Sequence, residues 1–119
     1  MKLIIAGSRG ITWYSTFDLN ELIIRKFHQT SEVVCGMAKG IDLLGYDWAI
    51  EYNVPVKEFP ANWKPNGVLD KSAGFKRNTE MAVYADSLLA LWDGKSNGTR
   101  HMISEMVRLY KPFHVELTQ

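Results

Sequence analysis

Five short apolar runs separated by segments of helical period constrain this chain more tightly than anything else in it. The runs cover residues 2–6, 32–35, 55–59, 87–92 and 113–117. They are short, apolar and β-rich, so each reads as a strand. Between the first two, residues 18–30 place Leu19, Leu22, Ile23 and Phe27 on one stripe, with Ser15 or Thr16 as N-cap. Further helical segments run from about 42 to 52, 75 to 84 and 99 to 110. Regular βαβα alternation predicts a parallel sheet with helices on both faces, half of a doubly wound α/β fold. The expected strand order is 3-2-1-4-5, with the topological switch point between the first and fourth strands.

Length and composition set the remaining bounds. The 119 residues fit one domain, 1–119, with a single core. No apolar run approaches the ~18–20 residues a membrane span needs, and the short run after Lys2 does not read as a signal peptide. One cysteine, Cys35, excludes an internal disulfide and suits a reducing cytoplasm, the expected location. A net charge of +1 imposes no nucleic-acid or membrane partner.

Glycine and charge are both polarised along this pattern. Gly7, Gly10, Gly36, Gly40, Gly67, Gly74, Gly94 and Gly98 each follow a strand and precede a helix, and only Gly45 falls inside a helical segment. The helix-to-strand connections at 29–31, 53–54, 85–86 and 111–112 contain none. In a parallel sheet the strand-to-helix loops share one edge, where open α/β folds bind ligands. Loop windows 7–16, 36–42, 60–78 and 93–101 hold eight Lys and Arg against three Asp, whereas the rest holds six against ten acidic residues. Cations in a first helical turn oppose the macrodipole by ~0.3–1 kcal/mol each. Lys76, Arg77 and Arg100 therefore read as ligands for an anion or as solvated surface charges.

Several familiar chemistries are excluded. Gly94-Lys95-Ser96 imitates the end of a P-loop, but that motif's first glycine would fall at Leu89 inside a strand. Gly7-Ser8-Arg9-Gly10 is too short for a dinucleotide fingerprint. His28, His101 and His114 lack metal-ligand spacing, and Cys35 reads as a small residue ending a strand. No Gly-x-Ser-x-Gly elbow is present. No metal and no cofactor is expected.

Four loops remain as the expected ligand site. Gly7, Ser8 and Arg9 follow the first strand; Gly36, Ala38, Lys39, Gly40 and Asp42 follow the second. Asn62 and Trp63 lead into Gly74, Arg77 and Asn78, and Asp93, Ser96, Asn97, Gly98 and Thr99 follow the fourth strand. Ser96, Asn97 and Thr99 offer donors to phosphate oxygens, joined by backbone N–H groups from Gly98 onward. Thr99 reads alternatively as the fourth helix's N-cap, and Asp42 as a ribose acceptor or a cap. Trp63 and Trp13 offer a stacking face for a base or packing at the sheet edge. Asp42, Asp93 and Arg77 are the candidate catalytic groups.

In order and at fitting spacing, "IIAGSRG", "VVCGMAKGIDLLGYDWA", "FPANW", "SAGFKRNTEM" and "ADSLLALWDGKSNGTRHMI" resemble the SLOG superfamily of Rossmann-like nucleotide-binding domains, specifically its small YspA-like branch. The resemblance spans nearly the whole chain. It implies a Rossmann-like three-layer domain, a phosphate-binding turn at 93–99 and a homodimer or higher homo-oligomer. Two related families pull in different directions. The Lonely Guy phosphoribohydrolases cleave the base from cytokinin nucleoside monophosphates; Arg77 matches their arginine and Gly98-Thr99 their Gly-Thr, but their catalytic Glu position is Met102 here. The DNA-processing protein A family binds single-stranded DNA, and its Gly-x-Ala-x-Gly-Ile-Asp signature matches residues 36–42. This chain lacks that family's length and extra domains.

The expected function is binding of a nucleotide or nucleotide-derived small molecule, with Arg9, Lys39, Arg77 and residues 96–99 holding phosphate. Any turnover would be hydrolysis of an N-glycosidic or phosphate bond, with Asp42 or Asp93 as the carboxylate. The rivals are a phosphoribohydrolase whose Glu comes from elsewhere, a single-stranded DNA binder stacking bases on Trp63, and a nucleotide sensor or sequestering protein, cellular or viral. Arg77→Ala is expected to fold normally, since it removes a cation from a helix N-terminus.

Overall fold

A computed structural model describes residues 1–27 and 29–118, so His28, one of the three histidines weighed above, lies outside the described residues. The chain runs β1 (Lys2–Gly7), α1 (Thr16–Lys26), β2 (Glu32–Cys35), α2 (Ile41–Glu51), β3 (Val56–Glu58), a single 3-10 turn (Pro65–Gly67), α3 (Ala73–Tyr84), β4 (Ser87–Trp92), α4 (Asn97–Arg108) and β5 (Phe113–Leu117). The strands form one parallel sheet in the order β3-β2-β1-β4-β5, as the alternation predicts. This is a Rossmann-like α/β fold. No helix among the described residues is long and apolar enough to cross a membrane.

The central strands are apolar throughout because both of their faces are covered. Leu3 and Ile5 of β1 and Leu89 and Leu91 of β4 pack with Leu19, Leu22 and Ile23 of α1 and Ile41, Trp48 and Ala49 of α2. Their neighbours Ile4, Ala6, Leu88 and Ala90 pack on the other side with Met81 and Ala82 of α3 and Met102 and Met106 of α4. Burying each large aliphatic side chain contributes ~1.5–3 kcal/mol. The side-chain period of two therefore splits every central strand between two cores.

Local chemistry sets the helix ends. Ser15 Oγ accepts from the Asp18 N–H at 3.1 Å and the Asp18 carboxylate accepts from the Ser15 N–H at 3.1 Å, a capping box that starts α1. The same helix ends at Lys26, short of residue 30, because Phe27 leaves the helical region at φ −140°, ψ 48°. Helices α2 and α4 are followed by the left-handed residues Asn53 (φ 57°) and Tyr110 (φ 57°). Helix α4 begins at Asn97 with Ser96 as N-cap residue, so Thr99 lies inside the first turn and does not cap it.

The C-terminus of α3 is closed from outside. Lys111 Nζ donates to the carbonyls of Ala82 (2.8 Å), Val83 (2.9 Å) and Ala85 (2.6 Å). A cation there also neutralises the negative end of the helix dipole, which is favourable. Lys111→Met keeps the stem and removes the donors. Urea unfolding is expected to show a loss of ~1.5–3 kcal/mol, the range for hydrogen bonds to a charged group; an unchanged midpoint would refute the cap.

Candidate functional site

The carboxyl ends of β1 and β4 diverge at the switch point, and Ser8 ties the loops that leave them. Its hydroxyl accepts from the Asp93 N–H at 3.0 Å and shares a hydrogen bond with the Ser96 hydroxyl. Asp93 Oδ1 in turn accepts from the N–H groups of Lys95 and Ser96, each at 2.8 Å. These backbone donors hold the Asp93 carboxyl down at about 2. Asp93 is thus an ionised organiser of its own turn.

The two glycines of this turn have different jobs. Gly94 takes the left-handed conformation, φ +81°, that bends the chain back after β4. Gly98 lies in the first turn of α4, and a Cβ built on it would meet nothing within 4 Å. That open space belongs to a cavity of about 380 Å³ lined by the β1 loop (Gly7, Ser8, Arg9), by Ala38 and Asp42, by Arg77 and Asn78, and by Asp93, Ser96, Gly98 and Thr99. No side chain caps α4, because the Ser96 hydroxyl is engaged with Ser8 and Asp93. The helix N-terminus therefore opens into the cavity with its first N–H groups available to an anion.

A hydrogen-bonded chain joins the opposite wall. Asp42, only 6% exposed, accepts from the Ala38 N–H at 3.3 Å and is not the N-cap of α2, a position held by Gly40. Burial pushes its carboxyl up to about 6, against the pull of the Arg77 guanidinium and of the N–H groups of Ala38 and Gly7. Arg77 Nη1 donates to the Gly36 carbonyl, and Nε donates to Asn78 Oδ1 at 3.1 Å. Asn78 Nδ2 donates onward to the Gly98 carbonyl at 3.2 Å and lies 3.3 Å from His101 Nδ1. Arg77 therefore ties α3 to the β2 loop and, through Asn78, to α4, so its removal would take away these hydrogen bonds as well as a cation.

A second cavity, about 320 Å³, shares Arg9, Ala38 and Arg77 with the first and adds Gly36, Met37, Lys39 and Trp63. Met37 is left-handed at φ 62°, an uncommon conformation for a bulky residue, and the loop holds it at the cavity wall. Trp63 rests against Gly74, whose absent Cβ would lie 3.2 Å from its ring. Gly40, φ +83°, packs on the Arg9 backbone. Gly74 and Gly40 thus make room for neighbours and do not line either cavity.

Other sequence expectations are not brought together. Asn62 lines a third hollow, beside Asp70 and Lys76, while Asn97 and the exposed Trp13 line none of the three. Lys76 is paired with Asp70 at 2.7 Å, and Arg100 lies over the Trp92 ring at 5.6 Å, so neither needs an anion to explain its place. Sequence reasoning missed Ala6, Gly10 and Met81 on the main cavity wall, where Met102 also lies. Met81 was visible only as one more apolar position on a helix stripe. Comparison with known proteins finds no family model, no curated protein and no solved structure that matches this chain, so the geometry of the site carries the functional reading.

Proposed function

We propose that this chain is a SLOG-type domain that binds a nucleotide or nucleotide-derived small molecule across the two adjoining cavities. The observation that carries this reading is the uncapped N-terminus of α4 opening at the switch point into a cavity shared with Arg9 and Arg77. Phosphate oxygens would take the N–H groups of Gly98 and Thr99, with the guanidinium groups supplying charge. Asp42, buried at the wall, would accept from a ribose hydroxyl. Trp63 and Lys39 in the second cavity suit a base face or a further phosphate. Both volumes fall at the small end of the range for compact ligands, which favours a mononucleotide over a strand.

Turnover would use Asp42 or Asp93, the carboxylates on the cavity wall, because Met102 carries no proton-transferring group; the Oδ1 of Asp93 is already held by its own turn. Thermal unfolding with millimolar nucleoside mono- and diphosphates tests the reading. A ligand at ~100 times its dissociation constant adds ~2.7 kcal/mol, a shift that melting resolves. Single-stranded oligonucleotides at about 150 mM salt should add little, since few phosphates would be neutralised. Incubation with AMP should release no adenine. Tight, salt-dependent oligonucleotide binding without a nucleotide effect would replace this reading with DNA binding.

A further inference from the structure

Strand β5 ends the sheet, and among the described residues nothing pairs with its outer side. Its inner side is fixed by the Leu88 N–H donating to the Pro112 carbonyl at 3.2 Å and the Thr118 N–H donating to the Trp92 carbonyl at 2.8 Å. Main-chain groups in a parallel ladder alternate in direction, so His114 and Glu116 also address β4. The N–H and C=O groups of Phe113, Val115 and Leu117 therefore point away from the sheet. Register places the same three side chains with Leu88, Ala90 and Trp92 on the α3–α4 face, and His114 and Glu116 on the opposite face. Phe113 and Leu117 are 39% and 64% exposed. Nothing within β5 blunts this edge: it has no lysine, no proline and no bulge.

The pentapeptide Phe-His-Val-Glu-Leu is complementary to its own reverse. We propose that β5 pairs antiparallel with β5 of a second copy of this chain, about a two-fold axis at Val115. In that register Val115 faces its counterpart, Phe113 faces Leu117, and His114 faces Glu116. Every outward N–H and C=O of the three odd-numbered residues then meets a partner. One face sets apolar against apolar. The other sets an imidazole against a carboxylate twice, at the closer, non-hydrogen-bonded spacing. Sliding by two residues either way keeps most backbone bonds but opposes His114 to His114 or Glu116 to Glu116. The imidazole–carboxylate pairing thus selects one register. Within one chain His114 Nε2 already lies 3.0 Å from Glu116 Oε1, so the two side chains share that face before any pairing.

The flank beside β5 is apolar too. Helix α4 uses one side against α3, through the Thr79–Glu105 hydrogen bond at 2.7 Å and the Phe75–His101 stack at 4.3 Å. Ile103 and Val107 fall on the other side at i, i+4 spacing, with Val107 55% exposed, and Tyr110, just past the helix end, is 97% exposed. A second α4 across the axis would cover them.

Sedimentation equilibrium on the full chain tests the pairing, with circular dichroism confirming that each variant folds. The wild type is expected to dimerise. His114→Glu sets carboxylate against carboxylate across the axis, and Glu116→Lys removes the acceptor that faces each imidazole; each should weaken the dimer roughly tenfold or more. The double variant His114→Glu/Glu116→Lys restores opposite charges and should regain most of the affinity. Val115→Pro deletes the outward N–H at the axis, spares the hydrogen bonds to β4 and should leave a folded monomer. A wild type that stays monomeric at about 0.1 mM, singles that dimerise like wild type, or a double variant as weak as the singles would overturn the proposal.

Discussion

Gly98→Val is expected to fold and to lose its ligand, whereas Gly7→Ala is expected to lose about 3 kcal/mol or more of stability. Both glycines lie at the same edge of the sheet, and space distinguishes them. At Gly98 the backbone is helical and a side chain would enter the open cavity, so valine costs the fold little. It would stand between an anion and the first N–H groups of α4. At Gly7 a Cβ would lie 2.3 Å from the Leu91 carbonyl oxygen and 2.8 Å from Ile41. Backbone of the adjacent central strand cannot move aside without breaking the β1–β4 ladder that pairs Gly7 with Leu91. Thermal melts separate the two variants, and calorimetry with a nucleoside diphosphate reads the binding of Gly98→Val. Wild-type affinity in that variant would remove the ligand from the N-terminus of α4.

The second large effect is the coupling of Arg77 to Asp42, which should appear as a pH-dependent loss of stability. The Asp42 carboxyl is raised from 3.8 to about 6 in the folded protein, by burial. Its contribution to stability is therefore fully present below pH 3.8 and is lost as the pH rises through 6. The loss is at most about 3 kcal/mol, at 1.36 kcal/mol per pKa unit. Asp70 and Asp93, both held at about 2, act in the other direction, their contributions disappearing as the pH falls below 3.8 toward 2. Mildly acidic pH should thus favour the ligand-free protein. Arg77→Gln removes the charge that keeps Asp42 ionisable and pushes its carboxyl higher still. The variant's deficit should be ~2 kcal/mol or more at pH 7.5 and clearly smaller at pH 5, measured by urea unfolding. Equal deficits at the two pH values would show that Arg77 supports the fold without acting on Asp42.

Periodicity made the architecture legible because each strand and helix announces itself locally. Strands β2, β4 and β5 fall on the residues where apolar runs predict them, and the order follows from the alternation. Helix α1 ends early because a single dihedral choice at Phe27 overrides an apolar stripe that runs through it. The site was legible as an edge but not as a set of roles. Nothing local says that Ser8 would meet Ser96, or that Asp70 would take up Lys76 from the preceding loop. Cation counting treated Lys76, Arg77 and Arg100 alike, while tertiary structure gives one a carboxylate, one a carbonyl and an amide, and one an indole face. Asn97 and Gly98 look equivalent as turn residues, yet only Gly98 lines the cavity.

The position of β1 at the centre of the sheet has a consequence for how the protein is made. It leaves the ribosome before the other strands of this sheet, and one of its neighbours, β4, follows only after β2 and β3, with Leu3 paired to Ser87 and Gly7 to Leu91. At ~5–20 residues per second, roughly 4–17 s of synthesis separate the two strands. Until β4 emerges, β1, β2 and β3 can form only three of the five strands, leaving one side of β1 unpaired and Ile4 and Ala6 without α4, one of the two helices that cover them. A nascent chain at this stage presents an apolar strand edge, the kind of surface that chaperones hold and that aggregation exploits. Completion of β4 closes that edge, so productive folding of the sheet is gated by the arrival of β4.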